Sequence, residues 1–203
     1  PEYITAARAQ LPGEEVAGGF VEPPDSQTRC AEMVLERAMR LAEQKKDVIV
    51  FIDNLTNLCR AYNESAPQAA RMLPGGLAAN ALAKPRHLFG AARVLREGGS
   101  LTIIAVLTAD TGSPLDAAIA DEFRGTANME LYLNADGTIN LRRSLTRKAD
   151  LMQSEDSQKP AAALRAAIAQ DDLVQAQQRM ADLLAQTEDF DALVTQLSHP
   201  AES

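Results

Sequence analysis

The clearest hydrophobic pattern in the chain is a run of five apolar residues, Val48 to Ile52, with an aspartate on each side. Four of the five are β-branched, and an uninterrupted apolar run of this length predicts a strand buried on both faces, as in the middle of a parallel sheet. A second apolar run at residues 100–107 follows Gly98-Gly99 and predicts another strand.

Helical spacing of apolar residues precedes the first strand and recurs between the two strands. The pattern predicts a helix that Asp25 or Ser26 caps and that ends near Lys45. Further helices are predicted over residues 55–62 and 78–93, and a short one ends near Phe123. The apolar residues that carry the first helix are Met33, Val34, Leu35, Ala38 and Leu41.

The remaining apolar pattern also fits an α/β fold. Residues 128–133 and 138–142 predict strands on either side of Asp136-Gly137, a hairpin turn signal. Strands that alternate with helices predict an α/β layer fold. We expect a core over residues 1–152 and a helical tail over residues 153–203 that packs on it. Shorter predictions are a helix at 5–10, a strand at 15–20 and a linker at 154–160.

Composition narrows the class of protein. The net charge of −8 argues against a simple RNA-binding module, so any RNA contact must be local or supplied elsewhere in the molecule. Cys30 and Cys59 lie beside apolar residues in helical patterns, which predicts buried free thiols in a reducing compartment. No signal peptide is visible, and no apolar run approaches the ~18 residues that a membrane span needs. We therefore expect a cytoplasmic protein without membrane contact.

The aspartate that ends the first apolar run is the first candidate for chemistry. A buried strand that ends in Asp53 has the pattern of a Walker B strand, which delivers one carboxylate to the edge of the sheet where ligands bind. There the carboxylate could hold Mg²⁺, directly or through water, beside nucleotide phosphates. The pattern alone is weak, because Asp53 could equally cap the helix that follows.

Several other segments resemble segments of the motor domain of the Rho family of bacterial transcription terminators, and they follow one another in the same order as in that domain. The resemblance covers residues 1–152 well and the tail only loosely. It implies a RecA-like domain of the P-loop NTPase type, with a mostly parallel sheet and flanking helices. The matching segments are Lys45-Lys46-Asp47-Val48-Ile49, Arg60-Ala61-Tyr62-Asn63, Gly75-Gly76, Ala79-Asn80-Ala81-Leu82, Gly90-Ala91-Ala92-Arg93, Glu97-Gly98-Gly99-Ser100-Leu101-Thr102, Asp110-Thr111-Gly112-Ser113, Glu122-Phe123, Gly125-Thr126, Asn128-Met129-Glu130-Leu131 and Thr146-Arg147-Lys148.

The resemblance implies a ring of six subunits with ATP held between neighbours. Asp53 matches the Walker B aspartate of the family and would hold Mg²⁺. Arg147 matches the arginine finger that reaches the nucleotide of the neighbouring subunit. A guanidinium suits that role because it spreads positive charge over the transferring phosphoryl oxygens. The implied parent protein is an RNA-dependent ATPase and helicase that acts indirectly on RNA polymerase.

Two loops match the elements that line the central pore of Rho and grip single-stranded RNA. Residues 71–76 match the Q-loop and residues 110–115 match the R-loop. Glycines suit such loops because bare backbone can approach a phosphate closely. The candidate RNA-contacting residues are Arg71, Met72, Leu73, Pro74, Gly75, Gly76, Thr111, Gly112, Ser113 and Pro114.

The chain departs from the family pattern at several of these places. Pro114 stands in place of a lysine of the R-loop, Pro74 in place of a threonine, and Asn57 in place of an arginine. Arg71 replaces a lysine and keeps its charge. The segment 134–145 is shorter than in typical Rho, which puts in doubt its part in enclosing the adenine.

The largest departure is that G-x-x-x-x-G-K-[ST] occurs nowhere in the 203 residues. The catalytic glutamate of the family would lie just ahead of Pro1. We therefore expect a motor domain truncated before its phosphate loop, which alone neither binds ATP tightly nor hydrolyses it. Two alternatives stay open at this point: a catalytically inactive relative that acts in assembly or regulation, and another RecA-like ring ATPase.

Overall fold

A computed structural model describes residues 13, 22–67, 70–108, 110–152, 158, 162, 165–166, 173–188, 192–193 and 195. The chain divides into two compact units, Pro1–Thr126 and Ala127–Ser203. The helix predicted at 5–10 and the strand predicted at 15–20 lie outside the described residues, as does most of the predicted linker. The predicted division into a core of residues 1–152 and a tail stays a prediction.

The sheet of the first unit has three strands in the order β1-β5-β4. Strand β1 (Asp47–Ile52) runs parallel to β5 (Ser100–Ala105), in register from Asp47 opposite Ser100 to Ile52 opposite Ala105. Strand β4 (Arg93–Val94) pairs antiparallel with β5. The predicted α/β fold is confirmed, and the sheet is mixed, with its two long strands parallel.

Helices flank this sheet. Helix α1 packs on one sheet face, where Leu35 and Ala38 meet Val50 of β1 and Leu101 of β5 in one apolar cluster. Burial of such side chains contributes about 25 cal/mol per Å² of apolar surface and holds the layers together. The helices of this unit are α1 (Pro24–Glu43), α2 (Leu55–Glu64), α3 (Ala83–Phe89) and α4 (Pro114–Arg124).

The predicted start of α1 is wrong. Pro23 is the N-cap residue, without a capping hydrogen bond from a side chain, and Asp25 lies within the first turn. A proline in the first turn has the backbone angle of a helix already and lacks only an N–H that would have no partner there. Pro24 therefore begins the helix one residue before the capping side chains that the sequence offered.

The prediction that β1 is buried on both faces is also wrong. Val50 is buried against α1, but Ile49 is 58% exposed and Phe51 is 70% exposed. Successive side chains of a strand point to opposite faces, so residues 49 and 51 share the face that α1 does not cover. The apolar run therefore covers one packed face and one open face.

A second apolar cluster joins α2, which follows strand β1, to α4, which follows strand β5. Leu55 and Cys59 of α2 pack against Ile119 and Phe123 of α4. Phe123 is 1% exposed, and its ring meets that of Phe89 edge to face, with 5.6 Å between centroids. Cys59 is fully buried, which confirms the predicted buried thiol there, and burial raises the pKa of that thiol to about 12. Cys30 is only partly buried.

The helix predicted over residues 78–93 is shorter in the structure. It runs from Ala83 to Phe89, with Pro85 in its first turn, and strands occupy both ends of the predicted range. Proline is tolerated in the first turn of a helix and not in its interior, so the helix cannot extend far ahead of Pro85. The residues before it form β3 (Leu77–Ala78), which pairs antiparallel with β2 (Met72–Leu73).

The second unit contains a small two-stranded sheet and helices. Strand β6 (Met129–Glu130) pairs with β7 (Leu145–Thr146), followed by α5 (Ala149–Met152) and α6 (Leu173–Gln186). The turn at Asp136-Gly137 is confirmed by the bridge between Leu133 and Ile139. The strand predicted at 138–142 is wrong beyond that bridge, because β7 takes the place beside β6.

Part of the predicted helical tail is confirmed by α6, and much of the rest lies outside the described residues. Among the helices that the structure describes, none combines the length and the apolar character of a membrane span.

Candidate functional site

Asp53 lies at the carboxyl edge of the sheet. It follows β1 directly, and the parallel partner β5 ends at the same edge with Ala105. The backbone locks the two ends together: the Val106 N–H donates to the Ile52 carbonyl at 2.9 Å, and the Leu55 N–H donates to the Val106 carbonyl at 2.8 Å. The Asp53 side chain is exposed at this edge, where ligands of open α/β sheets bind.

The alternative that Asp53 caps the next helix is wrong. The cap of α2 is Asn54, whose side-chain oxygen accepts from the Asn57 N–H at 2.8 Å. Asn57, which replaces a family arginine, therefore contributes to the first turn of the helix. Because Asn54 supplies the cap, the Asp53 carboxylate is not used to start α2.

The carboxylate of Asp53 fits a magnesium ion that takes its other ligands from phosphates and water. Mg²⁺ in nucleotide sites is usually held through one or two carboxylates plus substrate phosphates, not by a full protein cage. The side chain of Asn54 donates to the Thr108 hydroxyl at 3.4 Å beside it. In the described part of the chain, no group of three or more His, Cys, Asp or Glu side chains is placed to hold a metal ion.

The first predicted RNA-contacting loop, residues 71–76, is a tight hairpin. Strands β2 and β3 flank its turn, in which Gly75 and Gly76 both have positive φ angles, of 88° and 81°. Residues with a side chain rarely adopt positive φ angles, which explains why glycine occupies both positions. All six predicted residues are exposed: Arg71, Met72, Leu73, Pro74, Gly75 and Gly76.

The second predicted loop, residues 110–115, leads into α4. Ser113 caps the helix by accepting from the Asp116 N–H, and Pro114 is its first residue. Gly112 has a φ of 77°. Pro114, which replaces a family lysine, thus has a structural place at the start of α4, where its fixed φ is favourable.

The structure brings these two loops side by side. A Cβ atom built on Gly75 would lie 3.2 Å from the Pro114 carbonyl oxygen and 3.3 Å from its Cβ. A side chain at position 75 would make an unusually tight contact, so one of the two backbones would have to shift by a few tenths of an ångström to admit it. The sequence separates these residues widely, and their contact is a product of the fold.

Arg60, Asn63 and Asp116, to which the sequence pattern assigned no role, hold the loops in place. Arg60 of α2 donates to both carboxylate oxygens of Asp116, with distances of 2.6–3.0 Å. The Thr111 hydroxyl donates to the same carboxylate at 2.6 Å. Asn63, one turn after Arg60, donates to the Gly76 carbonyl at 3.0 Å and accepts from the Ala78 N–H at 2.7 Å.

Two sequence signals could have identified these residues. Ser113 and Asp116 have the spacing of a helix capping box, in which the acidic residue comes three positions after the cap. Arg60 and Asn63 are three apart on a predicted helix and therefore share one face. Neither signal shows that the two sets meet, because that contact spans 56 residues.

The Asp116 carboxyl is 2% exposed, whereas Arg60 is 42% exposed. The hydrogen bond from Arg60, supported by the one from Thr111, holds the pKa of Asp116 below its usual value against the opposing effect of burial. Asp116 therefore stays ionised in the folded protein at neutral pH and keeps its guanidinium partner.

We expect Asp116→Asn to lower the free energy of unfolding by about 1–2 kcal/mol at pH 7, because a charged hydrogen bond is lost but solvent screens the half-exposed Arg60. A lowered pKa contributes stability above the unfolded value of about 3.9, and that contribution is lost as the pH falls through the folded value. Chemical unfolding at pH 7, 4 and 3 should therefore show a difference from wild type that shrinks below pH 4.

Asp121→Asn is the matched control for this series, because Asp121 is 68% exposed and pairs with Arg124 on the same helix. It should change stability little at any pH. A deficit of Asp116→Asn that is as large at pH 3 as at pH 7 would show that the carboxylate charge is not the source of the effect.

Arg147, the predicted arginine finger, lies in the second unit directly after β7. Its backbone N–H donates to the Asn128 carbonyl at 2.8 Å, which secures the end of the small sheet. Its side chain is exposed. The predicted role across a subunit boundary stays a prediction.

The shortened segment 134–145 forms a compact turn. Asn134 donates to the Thr138 hydroxyl at 3.0 Å, and Gly137 takes a φ of 83°. With α6 it lines an apolar cavity of about 260 Å³ that includes Ile139, Leu141 and Met180. The predicted part of this segment in enclosing adenine stays a prediction.

The chain is similar in sequence to proteins of known function. Residues 16–148 match the profile of the nucleotide-binding domain of the ATP synthase alpha/beta family. Transcription termination factor Rho of Pseudomonas aeruginosa is 43% identical over 198 residues, which cover 94% of this chain and 47% of the relative. Rho of Escherichia coli strain K12 is 47% identical over 163 residues, covering 77% of this chain and 39% of the relative. The chain thus spans less than half the length of these curated relatives.

Solved structures support the fold. An ATPase from the type III secretion system of pathogenic bacteria superposes with a TM-score of 0.69 at 17% identity, over 87% of this chain and 61% of that chain. An ATP synthase subunit, NeqB from Nanoarcheaum equitans, superposes with a TM-score of 0.65 at 23% identity, over 73% of this chain and 41% of that chain. The resemblance to the Rho family that the sequence segments indicated is confirmed.

Proposed function

We propose a function for this chain from one premise, that it belongs to the ATP synthase alpha/beta family through its nucleotide-binding domain. The chain forms part of the motor domain of an RNA-dependent ATPase of the Rho type, which terminates transcription by translocating along nascent RNA. The observation that supports this best is the contact between Gly75 and Pro114, which makes one surface of the two loops that resemble the RNA grip of Rho.

In this proposal, the nucleotide lies at the sheet edge that carries Asp53. The Asp53 carboxylate would hold Mg²⁺, which would supply positive charge to neutralise the phosphates. Asn54 caps α2 and joins the edge through Thr108. The residues of this chain thus position a single metal-binding carboxylate, and a phosphate loop from elsewhere in the polypeptide would supply the grip on the triphosphate.

Single-stranded RNA is the proposed ligand of the two loops. With a net charge of −8, the chain as a whole does not attract a polyanion, so the contact must be local. Arg71 offers an exposed positive charge beside the hairpin, and the backbone at Gly75 and Gly76 is bare enough to approach a phosphate. Because Pro114 carries no charge, we expect the R-loop to contribute backbone and shape rather than a cation.

The proposed assembly is a homo-hexamer in the cytoplasm, with RNA polymerase affected indirectly through the RNA. Arg147 of each subunit would reach the nucleotide held by its neighbour, since a guanidinium stabilises charge on the transferring phosphoryl group. ATP turnover would then require contact between subunits as well as a complete nucleotide site.

A second candidate function is favoured by Pro114. A diverged relative that has lost catalysis and acts in assembly or regulation would have no need of the R-loop lysine that the family carries. It would keep the fold and the subunit surfaces, and it would lack a working phosphate loop.

Reading the encoding gene upstream of the codon for Pro1 separates the two candidates. A G-x-x-x-x-G-K-[ST] segment about 30 codons or more ahead supports the motor, because the Walker A loop precedes the Walker B strand in these domains. RNA-stimulated ATP hydrolysis by the product of the complete gene would establish it. An upstream sequence without such a loop, together with no ATPase activity, would favour the inactive relative.

The 203-residue polypeptide by itself is expected to show no RNA-stimulated ATP hydrolysis, because its sequence contains no phosphate loop. Phosphate release should equal that of an Asp53→Asn variant of the same polypeptide, which controls for contaminating ATPases. Turnover above that control would contradict the expectation and would mean that another segment of this chain binds the triphosphate.

A further inference from the structure

We propose that α2 positions both predicted RNA-contacting loops as one unit, with Arg60 and Asn63 as the positioning residues. The inference rests on the proposed function for the identity of the ligand, but the coupling of the loops is a property of this chain. It concerns residues for which the sequence resemblance gave no role.

The first link joins α2 to the loop at 110–115. Arg60 donates hydrogen bonds to both carboxylate oxygens of Asp116. The same carboxylate also accepts a hydrogen bond from the Thr111 hydroxyl. A two-pronged guanidinium–carboxylate pair fixes direction as well as distance. Because Thr111 and Asp116 lie at the two ends of the turn into α4, Arg60 holds the shape of the whole turn.

The second link joins the same helix to the hairpin at 71–79. Asn63 uses both ends of its amide, donating to the Gly76 carbonyl and accepting from the Ala78 N–H. These bonds satisfy two backbone groups at the point where the turn enters β3. Since Arg60 and Asn63 are three residues apart, they lie on one face of α2.

The third link joins the two loops directly. The backbone of Gly75 lies so close to Pro114 that only glycine fits without displacement. A shift of either loop therefore presses on the other or breaks this contact. Together the three links close a ring of contacts that runs from α2 through one loop, across to the other, and back to α2.

The start of α2 is fixed to the sheet edge that carries Asp53. The Thr108 N–H donates to the Thr56 hydroxyl at 3.0 Å, and Leu55 donates to the Val106 carbonyl. A helix is a stiff rod over this length, so movement at its first turn is carried to Arg60 and Asn63. The same element thus connects the candidate nucleotide edge with both loops.

Amide hydrogen exchange of the full 203-residue chain, followed by nuclear magnetic resonance, tests the coupling without any ligand. In Arg60→Ala, we expect exchange at Gly76 and Ala79 to accelerate by about tenfold, the size that loss of a charged hydrogen bond gives. In Asn63→Ala, the amides of Asp116 and Ala117 should accelerate similarly. Each variant is thus read at the loop that its mutated residue does not contact.

Three controls separate positioning from general destabilisation. Arg40→Ala removes an arginine whose partner, Glu43, is exposed on the same helix, and it should leave both loops unchanged. Arg60→Lys keeps the charge without the fork and should restore part of the protection. Amides of β5 should exchange at the wild-type rate in every variant, whereas a purely structural role would accelerate them as well.

Acceleration confined to the loop that each mutated residue contacts would overturn the inference, as would equal acceleration of β5. A parallel measurement of single-stranded RNA binding by fluorescence anisotropy, with a labelled mixed-sequence oligonucleotide, addresses the ligand separately. Coupled exchange without RNA binding by the wild type or by the product of the complete gene would support the coupling and count against the proposed function. RNA binding together with hydrogen exchange that changes in each loop separately would support the proposed function and count against the coupling.

Discussion

Asp53→Asn in the product of the complete gene is expected to lower RNA-stimulated ATP hydrolysis at least about 100-fold, the size seen when one preorganised electrostatic group is removed from an active site. Asp53 lies beyond the last residue of β1, at the edge where β1 and β5 both end. An amide there is nearly the same size but has lost the negative charge that attracts Mg²⁺. Steady-state phosphate release at saturating ATP and RNA gives the measurement.

The matched control is the same substitution at the other end of the same strand. Asp47 begins β1 and accepts a hydrogen bond from the Ser100 hydroxyl at 2.7 Å, an acceptor role that asparagine can keep. Asp47→Asn should therefore retain most of the activity. If both variants lost activity equally, or if Asp53→Asn lost none, the assignment of Asp53 to the metal would be wrong. Circular dichroism and an unfolding curve would show that each variant is folded.

Phe123→Ala is expected to lower the free energy of unfolding of the 203-residue chain by about 3–5 kcal/mol, the usual cost of removing a large aromatic side chain from a packed core. The ring is 1% exposed, contacts Phe89 edge to face, and packs among Leu55, Cys59 and Ile119. These neighbours join α2 to α4. We therefore expect the cavity to loosen the two helices that position the candidate loops.

Phe51→Ala is the matched control for the core, because Phe51 lies on the open face of the sheet and is 70% exposed. Surface substitutions of this kind usually change stability by about 0.5 kcal/mol or less. Urea unfolding followed by circular dichroism would measure both variants. Equal costs at positions 51 and 123 would contradict the distribution of burial described above.

The local sequence pattern was sufficient to predict those structural elements that depend mainly on their own residues. The strand at residues 47–52, the turn at Asp136-Gly137 and the position of Asp53 at the end of a strand all follow from apolar periodicity and turn chemistry. The strand predicted over residues 100–107 is also present, but it ends at Ala105. The matching segments also identified the family, because a long series of residues in one order is far more specific than any one motif.

The local sequence pattern gave wrong predictions where the structure of a segment depends on contacts with other segments of the chain. The run Val48 to Ile52 cannot reveal which of its faces is covered, and Phe51 is 70% exposed although Val50 beside it is buried. The helix expected over residues 78–93 begins only at Ala83, because Ala78 pairs with Met72 in the hairpin and Pro85 has to lie in the first turn of its helix. Pairing of backbone groups between segments outweighed the modest differences in helix propensity.

The amino-acid sequence by itself determined the family, the α/β order of elements and the aspartate at the carboxyl edge of β1, since these depend on residue type and local spacing. Only the tertiary structure decided that Arg60 meets Asp116, that Asn63 holds the hairpin, and that Gly75 lies against Pro114. Such contacts join residues far apart along the chain, and their formation depends on how helices and strands pack together. For that reason the two loops could be identified from the sequence, but their union on one helix could not.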